Sequence, residues 1–171
     1  MITKADIEKY FIAEKQESIL FMCIGIAAII IALLGIFLWK TQYWKGAAIP
    51  LIIVGIIQIV VGYTVFAKSD DQRIDAVYKI DMNPQDLVQN EIPRMEKVNN
   101  NFVIYRWAEI VLLIAGFILV FMFRSNTEKQ FLFGLAFALA IQAAICLGLD
   151  FFAEKRATVY TEQLKTLTKK S

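Results

Sequence analysis

The chain has 171 residues, 58% of them hydrophobic and 20% charged, with a mean hydropathy of +0.55 and a formal net charge of +2. Soluble domains sit near roughly 45–50% apolar, so the excess calls for a second apolar environment, and a charge this small makes no case for a nucleic-acid partner. Histidine is absent, which removes the commonest general base and metal ligand. Cys23 and Cys146 each stand alone inside an apolar run and read as small buried hydrophobes, so neither a disulfide framework nor a metal or other cofactor is expected.

In chain order, residues 3–17 mix charges with Ile7, Tyr10 and Phe11 on one stripe. They predict a helix that runs into the first apolar segment, which is long enough to be retained as a span and does not resemble a cleavable leader. The first span is placed at residues 18–39 and the second at 46–67, with Pro50 near its start. Ser69, followed three residues later by Gln72, reads as a capping box opening a new helix over Ile74, Val77 and Tyr78. Asn83-Pro84 reads as an N-cap with proline in the first turn, starting a helix that Pro93 kinks or divides.

The third span, 102–123, has adequate length only if Arg106 and Glu109 enter the membrane with it, and Asn101 is its expected N-cap. The fourth covers 131–149 and is closed by Asp150, after which residues 153–168 form an amphipathic helix. The expected architecture is all-α: a single polytopic membrane domain of four transmembrane helices, a helical connection over 68–101 and a helical tail.

Fourteen Lys and Arg residues fall in the N-terminal segment, the central connection through Arg106 and the tail, against four in the two short turns. The positive-inside rule then puts both termini in the cytoplasm. The isoleucine- and lysine-rich composition suggests a bacterial inner membrane. Trp39, Tyr43 and Trp44 would form an interfacial aromatic belt at the outer turn.

Shifting the chain by 84 residues aligns Trp39-Lys40-Thr41-Gln42 with Phe123-Arg124-Ser125-Asn126 and Gln58 with Gln142. This suggests two tandem hairpin repeats, related by an axis along the membrane normal. The two glutamines, each near mid-depth, would face each other as interhelical glue or as the lining of a substrate path.

Arg106 and Glu109, three apart, can pair on their helix, and Glu17, Lys68 and Asp150 fall near the same level to form an inner-leaflet charge cluster. Such residues could serve the fold, an anionic headgroup or a proton. The tail stripe Tyr160, Leu164 and Leu167 is read as a partner-facing surface, with packing inside the protein as the plainer alternative. No catalytic motif is found: there is no phosphate-binding loop, nucleophile elbow or metal-ligand cluster. The expected function is non-catalytic work through protein–protein interaction, as an accessory or scaffold subunit or a membrane immunity factor, with a protein partner or self-association and with membrane lipids as its surroundings. A small transporter or oligomeric pore, and an inner-leaflet lipid-binding protein, are the alternatives.

Overall fold

A computed structural model describes residues 2–168 of the chain. Among these residues there is no strand, and four long helices make up almost everything. Helix α1 spans Lys4–Leu34 and widens into a π-helical turn, Gly35–Trp39; α2 spans Gln42–Met82, α3 Pro84–Phe123 and α4 Gln130–Thr168, the last preceded by a 3-10 turn, Thr127–Lys129. All four are long and apolar enough to cross a membrane. A 41-residue helix such as α2 is about 60 Å long, and the hydrocarbon core takes roughly 30 Å of it. Each helix therefore continues well beyond its span, and the four extensions meet at the end of the molecule that carries both termini.

The helix boundaries follow local chemistry at the ends and packing in the middle. Thr3 and Asp6 form a capping box on α1, with the Thr3 amide donating to the Asp6 carboxylate at 2.9 Å. Lys40, at φ 53, closes the first turn, and Thr41 caps α2. Asn83 caps α3 through Asp86 N, with Pro84 in its first turn as expected.

Three expected boundaries are absent. Ser69 opens no new helix: α2 is continuous through it, and its hydroxyl bonds back to the Val65 carbonyl at 2.9 Å and to Glu14 at 3.2 Å. Pro93 does not divide α3, because Glu91 and Met95 on either side of it are buried, and packing offsets the loss of one helical hydrogen bond. Asn101 is likewise interior to α3; the third span and the connection before it are one helix.

The spans pack in the order α1, α2, α4, α3: α2 lies against α1 on one side and α4 on the other, while α3 leans almost wholly on α4. Two pairs of glycines allow the close approaches. A Cβ on Gly25 would stand 2.6 Å from the Gly55 carbonyl oxygen, and one on Gly55 2.8 Å from that of Gly25. Between α2 and α4 a Cβ on Gly46 would lie 1.9 Å from the Phe131 oxygen, and one on Gly134 2.0 Å from the Tyr43 oxygen. Backbones touch there, as small residues permit in membrane bundles. The apolar stretch of α3 is only 6% buried, against 22%, 22% and 39% for the others, so α3 is a flank.

The largest apolar core lies outside the spans. Ile7 and Phe11 of α1, Ala76 of α2, Leu87 and Met95 of α3, and Ala157, Tyr160 and Leu164 of α4 close around one another. This corrects the reading of the tail as partner-facing: Tyr160 is 1% and Leu164 0% exposed, with Leu167 packed against the same core. An amphipathic stripe beside three others buries its apolar face on them.

Replacing Gly46 or Gly134 with alanine should cost about 1–3 kcal/mol, because the two backbones must part. Gly148→Ala, where an added Cβ meets nothing within 4 Å, should be neutral. Thermal unfolding in mild detergent checks the contrast.

Candidate functional site

The polar residues of the interior form a ladder from the middle of the spans to the extramembrane bundle. At its top are Gln58 of α2 and Gln142 of α4, 0% and 1% exposed. They are not bonded to each other. Gln58 Nε2 lies 3.3 Å from Cys146 Sγ, and the amide oxygens of both glutamines have no partner. Gln142, Cys146 and Asp150 follow one another at four-residue spacing on α4, a repeat that keeps them on one helix face.

One turn further along is the charged level. The expected Arg106–Glu109 pair does not form. Arg106 reaches across to α4, its Nη1 donating to Glu154 at 2.6 and 2.8 Å, while the Glu109 carboxyl lies beside that of Asp150 with one oxygen buried and unpartnered. The reason is facing: α3 and α4 pack closely, so the long Arg106 side chain finds an interhelical carboxylate. Glu17 pairs with Arg156 rather than with the other expected members. Lys68 is exposed and joins none of the ion pairs among the described residues.

Below this level is a network that sequence reasoning missed. Arg94 donates to both oxygens of Glu91, at 2.8 and 2.7 Å, to Gln72 at 3.3 Å, and lies over the Phe11 ring. Tyr160 donates to Glu91 at 3.1 Å, Tyr10 donates to Glu14 at 3.0 Å, and the two tyrosine rings stack 4.1 Å apart. Burial is the largest influence on both phenols and raises them. Burial opposes the Arg94 charge, but the hydrogen bonds and charge of Glu91 outweigh it and raise the guanidinium further. The signal was in the sequence: Glu91 sits midway between Leu87 and Met95 at four-residue spacing, a charge placed inside an apolar stripe.

At the opposite, turn-side end, Trp39 stacks on Trp44 at 4.4 Å, and Tyr43 meets Trp44 at 5.4 Å and Phe133 at 5.8 Å. Trp39 is 51% exposed, whereas Tyr43 and Trp44 are half-buried. Gly35 leaves the space that Trp44 occupies. Among the described residues no group of His, Cys, Asp and Glu could hold a metal ion. Neither the protein-family models, the curated proteins nor the solved structures give a match to this chain.

Glu14 gives the extramembrane bundle a pH dependence. Burial pushes its carboxyl above the usual 4.5, against the lowering effects of Arg94, Tyr10 and Ser69. A carboxyl whose folded pKa is raised contributes stability below its unfolded pKa and loses it as pH climbs through the folded value. Glu14→Gln should therefore gain stability relative to the parent as pH rises from about 4.5. Denaturation in detergent at a series of pH values checks it; parallel curves would contradict it.

Proposed function

We propose that the chain is a non-catalytic multi-pass membrane protein that acts by docking another protein on the extramembrane half of α2. The observation that carries this reading is a stripe of Ile74, Tyr78 and Met82, 62%, 62% and 68% exposed. They follow at four-residue spacing on one face, next to a groove of about 410 Å³ that also takes in Lys4, Glu8, Arg73 and Asp81. Outward apolar residues in the spans are covered by lipid, but these lie past the span and face water, where apolar patches mark contact surfaces. Placement of both termini in the cytoplasm, from the distribution of Lys and Arg, would put this surface there too.

A tandem duplication is part of the same proposal, with its register shifted. Gly46 against Phe131 and Gly134 against Tyr43 are reciprocal contacts, relating position 43 to 131 and 46 to 134. That is the same 88-residue offset as the Gln58–Cys146 contact. Gln58 then corresponds to Cys146 rather than to Gln142, and the extra residues lie in the longer second turn. The backbone contact closes the α2–α4 seam on the turn side of both glutamines, which works against a continuous pore along that seam.

A photo-crosslinking residue at position 74, 78 or 82 in native membranes should give one protein adduct of a single mass, absent from the same residue placed at Glu162. The pair Ile74→Asp and Tyr78→Asp should abolish it without changing thermal stability. Lipid-only adducts, or none, would sink the proposal.

A further inference from the structure

A second surface lies away from the α2 stripe, between α3 and α4, where those helices leave the apolar layer. It is a groove of about 420 Å³ with a wall of Leu113, Ala144 and Leu147 and a charged end formed by Arg106, Asp150 and Glu154. Its floor passes Gly148, where an added Cβ would meet nothing within 4 Å, so no side chain obstructs the channel.

The charge pattern is specific. Glu154 is answered by Arg106, and Glu17 by Arg156. Asp150 has no cation partner among the described residues, and its neighbour is the Glu109 carboxyl, with which it shares a hydrogen bond. Arg106 gives only Nη1 to Glu154 and keeps 39% of its side chain exposed, so other N–H groups remain to donate. A carboxyl without a cation partner thus shares one groove with a partly free guanidinium, next to an apolar wall. A purely anionic headgroup would meet the two carboxyls, and a quaternary ammonium has no N–H to give them.

We propose that this groove binds a phospholipid whose headgroup carries a primary ammonium. The ammonium donates to Asp150, the phosphate accepts from the free edge of Arg106, and an acyl chain runs over Gly148 along Leu113, Ala144 and Leu147. The site goes beyond the protein-docking reading and does not depend on it.

The test uses the full chain in nanodiscs of equal parts phosphatidylethanolamine, phosphatidylcholine and phosphatidylglycerol with identical acyl chains. Native mass spectrometry then reads the lipids retained on release. Phosphatidylethanolamine should be retained about tenfold over each of the others, the ratio expected for one charge-assisted hydrogen bond. Asp150→Asn should erase that preference. Gly148→Leu, which fills open space, should remove bound lipid altogether while leaving thermal stability unchanged. The Ile74→Asp, Tyr78→Asp variant should keep the preference. Equal retention of the three lipids, preference for the anionic lipid, or a preference that survives Gly148→Leu would overturn the proposal. If Asp150→Asn fails to fold, the Gly148→Leu result decides alone.

Discussion

The contact on which the molecule depends is the seam between α2 and α4, where two backbones approach with only glycine hydrogens between them. At Gly46 and Gly134 each helix presses its carbonyl into the space the other leaves free. Lipid offers apolar side chains as good an environment as another helix does, so close packing and polar contacts must hold the spans together. The seam supplies both, with Gln58 and Cys146 in contact further along it. Helices α1 and α3 are then attached from outside, α1 through the Gly25–Gly55 approach and α3 through Gly116 on Ala140. The resulting bundle has a spine and two flanks.

Outside the lipid the balance of forces changes, because water restores the hydrophobic effect. There the four helix extensions bury Phe11, Leu87, Met95 and Leu164 together. They also enclose the pairing of Glu91 with Arg94 and the stacked Tyr10 and Tyr160. Removing one member of such a buried pair leaves the other uncompensated, so a network of this kind fixes how the four helices sit side by side. The apolar residues it leaves out, Ile74, Tyr78 and Met82, stand out because they are the most exposed of their size in this region and follow one another on one face.

Much of this was legible in the residues. The four spans were plain because 20-residue apolar runs have few other uses, and Asn83-Pro84 announced a helix start through chemistry that is local. What stayed hidden was decided by packing across the chain. Ser69 and Asn101 are good caps by composition, yet the helices run through them: Ser69 is itself buried, and Val98 and Phe102 on either side of Asn101 pack against the extramembrane core. Arg106 had Glu109 within reach on its own helix, and nothing in the spacing revealed that Glu154, 48 residues away, would be closer. The contact of Gln58 was hidden for a similar reason: which residue of α4 lies opposite it, Cys146 rather than Gln142, depends on how the two helices are aligned across the seam. At the candidate sites, the carboxyl of Asp150 was visible as a boundary residue, but the groove it faces is made by two helices and has no sequence signature.

A bundle built this way carries its distinctive surfaces at its edges: the exposed apolar stripe on α2 and the groove between α3 and α4. Both depend on α2 and α4 forming the spine, with α1 and α3 held apart as flanks. The most direct measurement of that arrangement is a set of spin-label distances in nanodiscs, with labels at Ile30, Ile57, Ile114 and Ile141, one on the outward face of each span. The account predicts that the Ile30–Ile114 distance, between α1 and α3, is the longest of the set. An Ile30–Ile114 distance as short as those within the two hairpins would contradict it.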